Sequence, residues 1–320
     1  MIFGALLALA SSFSFSVNSI LIRRGLADAG ATAAQGAFIT VLLGVPFGFA
    51  AVVVTGQMLN FDQVPLNGYL MIAAAGIIHF CIGRYCNYRS IAAFGASRAV
   101  TVQAFAVPYS IIMAIVLLGE RPTAFMYVAI ALILGSPLLM IDRGKRPARG
   151  AERTGAPPSG AARSGAPTVE IRMVEGVIFS LLASVGYGTS PILIRAALEA
   201  ATGVAAVGTF VAYVGASVVL LVSLALPAQR HLIGAINFRY MRLFGSAGLS
   251  VFMAQLLRFF SLALADVTIV DPLMRTVGVF TLILSYLVNR RLELITLGVV
   301  LSVLVSFAGS AMLVIAAAQR

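Results

Sequence analysis

Long apolar runs separated by short polar connections occupy almost the whole chain. Ten of these runs contain about 20 residues, the length that a helix needs to cross the hydrocarbon core of a bilayer. They are Ile2–Ile22, Ala33–Thr55, Tyr69–Tyr88, Val100–Leu118, Ala124–Ile141, Val174–Ile194, Val204–Leu226, Leu243–Ala265, Thr268–Val288 and Leu294–Ala317. The runs are continuous rather than alternating, and open strands cannot satisfy their backbone in lipid. The pattern therefore predicts an all-α membrane protein with ten transmembrane helices.

The connection after the fifth run differs from all the others. Asp142–Arg172 places seven basic residues among Gly, Ala, Pro, Ser and Thr, and it has almost nothing to bury. We interpret residues 142–172 as a flexible basic linker between two five-helix halves, at 1–141 and 173–320. The first run has a copy in mid-chain, as described next, so we interpret it as a span rather than a signal peptide.

The two halves resemble each other in sequence. Ser19–Arg23 matches Pro191–Arg195, and Ser90–Val100 lines up with Phe260–Val270, at nearly constant offsets of 172 and 170 residues. Because five is odd, a second copy joined to the first must lie upside down in the membrane. The sequence therefore predicts two inverted five-helix repeats, a plan in which secondary transporters bind substrate near the midplane, where the repeats meet.

Composition and charge support a membrane protein and exclude several other classes. Apolar residues make up 60% of the chain and charged residues 10%, too few charges for a soluble surface. The net charge of +11 would suggest nucleic acid in a soluble protein, but basic loops in a membrane protein usually face the cytoplasm. We therefore expect the protein to lie in the lipid bilayer of the cell membrane and to bind no nucleic acid. The count of basic residues places the linker in the cytoplasm and both termini outside.

The segment that joins the fourth and fifth spans carries a specific motif. Leu117–Thr123 reads LLGERPT, follows a helix with a central Pro108, and is preceded by Gly95-Ala96-Ser97 at the start of the same hairpin. This pattern resembles an EamA-type repeat of the drug/metabolite transporter superfamily. The second half departs from it, with Asn289–Glu293 where the glycine–glutamate pair would stand.

The resemblance implies a permease that exports small metabolites, often amino acids or related compounds, by alternating access. It also implies a central cavity lined by the first, third, fourth, sixth, eighth and ninth spans. Relatives usually have both termini in the cytoplasm, opposite to the basic-residue count, so the orientation stays open.

Charged side chains inside the predicted spans are the first candidates for a substrate site. Arg84, Arg258 and Arg275 lie within spans, where each costs about 2.5–3.5 kcal/mol to insert unless it faces water or a partner. They either line an electropositive cavity suited to a carboxylate or phosphate, or extend to the headgroups. Asp271 either pairs with Arg275 four residues later, or caps a helix that begins at Pro272.

Neutral polar residues in the spans complete the candidate site. His79 is either a proton carrier or a histidine satisfied by a neighbouring helix. Asn18 and Tyr187 are predicted members of the cavity, and Gln103 and Gln255 are amides that need partners in lipid. The predicted substrate-binding set is therefore Arg84, Arg258, Arg275, Asp271, His79, Asn18, Tyr187, Gln103 and Gln255.

Other functions find less support in the sequence. Cys81 and Cys86 fit neither a zinc pair nor a redox motif, and no cofactor, metal or catalytic motif is present, so we expect none of these and no enzyme. A secondary permease for a small polar or anionic metabolite is the leading interpretation, and a membrane scaffold without transport is the alternative. Small residues at every fourth position of the last span, from Gly298 to Ser310, serve either internal packing or a homodimer.

Overall fold

The computed structural model describes residues 1–29, 33–94, 102–103, 105–136, 139, 172–199, 201, 203–235, 238–288 and 297–319. Those residues form helices, turns and short connections, and no strand occurs among them. The predicted all-α class is confirmed. Three predictions lie outside the described residues: the linker up to residue 171, the motif at 95–97 and the divergent motif at 289–293.

Among the described residues of the first half there are six α-helices, one 3₁₀ segment and one π-helical segment. They are α1 (Ile2–Ala29), α2 (Ala33–Val54), a 3₁₀ segment (Gln57–Gln63), α3 (Leu66–Gly76), a π-helical segment (Ile77–Gly83), α4 (Arg84–Phe94), α5 (Ala106–Leu118) and α6 (Ala124–Gly135). The segments from residue 66 to residue 94 form one helical run. Pro108 is not central in its helix but lies in the first turn of α5, where a missing N–H costs nothing.

The second half repeats this order. Its elements are α7 (Met173–Glu199), α8 (Ala205–Ser223), a 3₁₀ segment (Pro227–Ala235), α9 (Phe238–Leu264), α10 (Val267–Met274), α11 (Val277–Val288) and α12 (Leu297–Ala318). The predicted ninth span is therefore interrupted at residues 275–276. The backbone there forms a tight turn, in which the Arg275 N–H donates to the Pro272 carbonyl at 3.0 Å.

Five helices are long and apolar enough to cross a membrane, judged by length and composition among the described residues. They are Ala34–Val54, Leu66–Asn87, Met173–Glu199, Ala205–Ser223 and Phe244–Leu264, and shorter apolar helices accompany them. These helices indicate a multi-pass membrane protein. The arrangement of ten spans as an inverted repeat stays a prediction.

The first helix of each half packs along the third helical run of the other half. Ser261 Oγ in α9 donates to the Gly4 carbonyl at 2.7 Å, and Ser11 Oγ donates to the Ala254 carbonyl at 2.6 Å. Residue numbers fall in α9 as they rise in α1, so these two helices are antiparallel.

The helices α7 and α4 make the reciprocal contact. Arg89 forms an ion pair with Glu175 at 2.7 Å, and Ser90 is hydrogen-bonded to Ser180. Further along, a Cβ on Gly186 would lie 3.3 Å from the Cα of Gly83. These two helices are also antiparallel, and they meet through small residues.

Small residues also bring α2 and α3 against α8 in the core. A Cβ on Gly76 would lie 2.2 Å from the Ala212 carbonyl oxygen, so only glycine fits this close approach. Tyr213, one residue further along α8, stacks on Phe80 with ring centroids 4.6 Å apart. The core therefore holds the π-helical segment firmly against the second half.

The small-residue face of the last helix is used inside the chain. Ser306 and Ser310 are buried, and a Cβ on Gly309 would lie 2.8 Å from the Ala129 carbonyl oxygen in α6. Ser306 and Ser310 are therefore packed inside the chain, and the homodimer stays a prediction.

Candidate functional site

A polar centre joins the π-helical segment, α9 and α10, and Arg258 lies in its middle. Arg258 Nη1 is 3.4 Å from His79 Nδ1, and Arg258 Nη2 is 3.8 Å from Asp271 Oδ1. The side chains of Arg258 and Asp271 are each 5% exposed. Arg258 is therefore enclosed by protein groups, which disagrees with the alternative that its side chain extends to the headgroups.

Hydrogen bonding assigns the tautomer of His79. Arginine can only donate, so Nδ1 of His79 accepts from Arg258 and Nε2 carries the proton of a neutral ring. The amide nitrogen of Gln255 lies 3.2 Å from that Nε2. Two donors cannot share a hydrogen bond, so this tautomer requires the Gln255 amide to be turned with its oxygen toward His79. His79 is thus held by two side chains of α9, as the alternative of a satisfied histidine predicts.

Asp271 has a different role from both of those predicted for it. The N-cap of α10 is Asp266, and Asp271 and Pro272 lie inside the helix, so the capping interpretation of Asp271 is wrong. The ion pair found for Asp271 among the described residues is with Arg258 rather than with Arg275. Its second oxygen, Oδ2, is buried and has no hydrogen-bond partner among those residues.

Arg275 lies in the turn that separates α10 from α11. Its Nε is buried without a hydrogen-bond partner in the described part of the chain. Ser12 of α1 holds this turn, because its hydroxyl lies 2.9 Å from Thr276 Oγ1 and 3.4 Å from the Met274 carbonyl oxygen. The turn that carries Arg275 is therefore held by α1, and the Arg275 side chain has a buried donor without a partner among the described residues.

Arg84 begins α4 directly after the π-helical segment. Its guanidinium carbon lies 5.5 Å from the centre of the Phe80 ring, a cation–π contact, and no ion pair to Arg84 is found among the described residues. Arg84, Arg258 and Arg275 all lie close enough to His79 for their charges to act on it. With Asp271 as the carboxylate, the described centre has an excess of positive charge.

Tyr187 of α7 joins the polar centre. The Tyr187 ring lies 4.9 Å from the His79 ring, so Tyr187 belongs to the polar centre as predicted for a cavity member. Asn18 of α1 has a buried Oδ1 without a hydrogen-bond partner among the described residues. Gln103 does not join the arginines, because its amide donates to Asn87 Oδ1 at 2.9 Å.

A small cavity adjoins the polar centre and adds residues that the sequence did not single out. Its lining consists of Ala75, Gly76, His79, Phe80, Ser190, Ile194, Ala212, Gln255 and Phe259. Ser190 has a buried hydroxyl without a hydrogen-bond partner among the described residues, and Asn18 has a buried amide oxygen that also lacks one there. These two residues are 172 positions apart, the offset of the first helices, so the repeat was a signal for Ser190.

The sequence model of the EamA-like transporter family matches residues 2–141. This match confirms the predicted resemblance to an EamA-type permease of the drug/metabolite transporter superfamily, in the first half of the chain. Members of this family are membrane transporters rather than enzymes. No curated protein matches the chain.

A solved crystal structure shares the fold over the full length. It aligns with a TM-score of 0.71, covering 99% of this chain and 97% of that one, at 13% sequence identity. At this identity the likeness shows the fold alone.

Proposed function

We propose that the chain is a secondary permease of the cell membrane that moves a small polar or anionic metabolite by alternating access. One observation carries this proposal: Arg258 and Asp271 form a buried ion pair at the junction of the two halves, beside His79, and the Nε of Arg275 is buried without a hydrogen-bond partner in the described part of the chain. A scaffold has no need for buried guanidinium groups, because each is costly to place in a membrane.

Antiparallel packing between the halves supports an inverted repeat. In a chain whose spans alternate in direction, the first and third spans of one half run the same way. Because α1 is antiparallel to α9, the third span of the second half, α7 then runs opposite to α1. The reciprocal contact of α7 with α4 supports the same relation.

The break between α10 and α11 supports a substrate-binding site at the polar centre. In both halves the chain makes a tight turn at equivalent positions, since the Phe105 N–H donates to the Val102 carbonyl as the Arg275 N–H does to Pro272. Discontinuous helices at the repeat interface are typical of substrate sites in secondary transporters.

The unused polar atoms define the chemistry of the substrate. Arg275 Nε needs an acceptor, and a carboxylate or phosphate fits the planar donor geometry of arginine. Asp271 Oδ2 and Asn18 Oδ1 need donors, which an N–H or O–H group supplies. A small molecule with an anionic group and a donor, such as an amino acid, satisfies both requirements.

Counterflow in proteoliposomes tests the proposal. Wild-type protein is loaded with L-alanine, succinate or inorganic phosphate, and the uptake of the same labelled compound is followed. We expect exchange of at least one compound and a loss of about tenfold or more in R275A, because a charged hydrogen bond contributes about 1.5–3 kcal/mol. R172A is the matched control, because Arg172 is 51% exposed and pairs with Glu175 away from the centre. Equal exchange in R275A and wild type would contradict this site, and a scaffold predicts no exchange at all.

A further inference from the structure

The start of α10 is capped by a carboxylate from the other half of the chain. The Val267 N–H donates to Glu120 Oε1 at 2.7 Å, and the Thr268 N–H donates to Glu120 Oε2 at 2.9 Å. Glu120 is only 9% exposed and lies in the connection between α5 and α6. One side chain therefore satisfies two of the N–H groups that every helix leaves unpaired at its start.

The residue that would ordinarily cap this helix does not do so. Asp266 occupies the N-cap position, but its side chain makes no capping hydrogen bond. One of its carboxylate oxygens lies 3.9 Å from Arg195 Nη2 instead. The cap of α10 is thus a contact between the halves rather than a local feature.

The turn before Glu120 directs its side chain onto α10. α5 ends at Leu118, and Gly119 follows with φ +66°, a left-handed conformation that favours glycine. The N–H groups of Gly119 and Glu120 both donate to the Ala114 carbonyl, which closes the helix end. Gly119 and Glu120 therefore form a short, hydrogen-bonded connection that holds the Glu120 carboxylate at the start of α10.

A displacement of the start of α10 would also move the residues of α10 that lie in the polar centre. Residues 267–273 are all buried, and Ser12 holds the turn at the far end. Asp271 and Arg275 follow Val267 at intervals of four residues, so all three lie near one side of the helix. At 1.5 Å per residue, Asp271 lies about 6 Å and Arg275 about 12 Å along the axis from Val267.

We propose that Glu120 is a positioning residue for the central site: by capping α10 from the opposite half, its carboxylate fixes where Asp271 and Arg275 stand relative to Arg258 and His79. Glu120 does not touch the substrate. The role of Asp271 and Arg275 in transport rests on the proposed function, whereas the fixing of α10 does not.

Hydrogen–deuterium exchange on the full chain in nanodiscs tests the fixing of α10 directly. In E120A the peptide that contains residues 267–274 should exchange about tenfold faster or more, because two backbone N–H groups lose their acceptor. E120Q should show a smaller change, because its amide oxygen can accept one N–H while its NH₂ group faces the other. D266N is the matched control, and we expect wild-type exchange because Asp266 makes no capping hydrogen bond.

Transport kinetics test the consequence for the site. With whichever of L-alanine, succinate and inorganic phosphate the wild type exchanges, E120A should raise KM about tenfold or more, since small misplacements of binding groups are costly. Unchanged α10 exchange in both Glu120 variants would overturn the inference, and so would faster α10 exchange with an unchanged KM. If wild-type protein exchanges none of the three compounds, the proposed function fails, but the exchange rates of α10 still decide whether Glu120 fixes it. If E120A does not fold, the exchange rate of α10 and the KM are both measured on E120Q.

Discussion

Asp271 Oδ1 lies 3.8 Å from Arg258 Nη2, and both side chains are buried between α9 and α10. His79 contacts the other Nη atom of the same guanidinium. Arg258 is thereby held on two sides, whereas Arg275 keeps an unused donor. The two arginines thus differ in their contacts: Arg258 joins the halves, whereas the Nε of Arg275 has no hydrogen-bond partner in the described part of the chain.

Removing Arg258 should destabilise the protein strongly. R258A leaves the Asp271 carboxylate buried without its partner, and breaking a buried ion pair costs about 3–5 kcal/mol. Thermal unfolding in detergent measures the change. R172A, which removes an exposed partner of Glu175, should cost no more than about 1 kcal/mol. An R258A variant as stable as R172A would show that Arg258 does not join the halves.

Gly76 should not accept a side chain. The Cβ of G76A would lie 2.2 Å from the Ala212 carbonyl oxygen, so α3 and α8 would have to separate, at a cost of about 1–3 kcal/mol or more. The control is G245A in α9, because a Cβ there meets nothing within 4 Å. Alanine favours helix over glycine, so G245A should be neutral or slightly stabilising. Equal melting temperatures for the two variants would contradict this packing.

The stability contribution of Glu120 should depend on pH. Burial raises the pKa of the Glu120 carboxyl above its usual value, and Asp266 adds to this, although the N–H groups of Thr268 and Val267 oppose it. A carboxyl whose pKa is raised by folding stabilises the fold most below its unfolded pKa of about 4.3, and this contribution is lost as pH rises through the folded pKa.

The melting temperature of wild type minus that of E120Q should therefore fall as pH rises above about 4. Comparing the two proteins at each pH removes the effect of the carboxyl groups that do not interact with Glu120, because the proteins differ only at residue 120. A difference that grows with pH would mean that the N–H groups outweigh burial.

Two serines should contribute measurably to the contact of α1 with α9. Ser11 and Ser261 each donate to a carbonyl of the opposite helix, and such bonds contribute about 0.6 kcal/mol each within membranes. The double variant S11A/S261A should unfold at a lower temperature than wild type. S14A should not, because the Ser14 hydroxyl bonds to Ala10 in its own helix. A similar loss in both variants would indicate an effect on α1 itself.

The helical class was predictable because apolar run length alone determines it in lipid, where the backbone must bond to itself. The partner of Asp271 was not predictable in the same way. Arg275 lies four residues away on the same helix, but Arg258 lies on another helix, and one sequence does not give the rotation of a helix about its axis.

The role of Glu120 also depends on contacts between distant residues. Its place at the edge of a connection suggested no role in the spans, yet its carboxylate reaches Val267, 147 residues later in the chain. The sequence pointed to Asp271 as a possible cap, since aspartate commonly fills that position. In the structure the cap comes instead from the contact between the halves, because the turn at Gly119 directs Glu120 onto the start of α10.

The meeting of Gly83 with Gly186 has a mechanical consequence. At that point the two backbones lie close together, since a Cβ on Gly186 would come within 3.3 Å of the Gly83 Cα, and the ring of Tyr187 packs directly beside Gly83. Any tilt of α7 at this crossing would therefore carry the Tyr187 ring across the His79 ring, whose centre is 4.9 Å away.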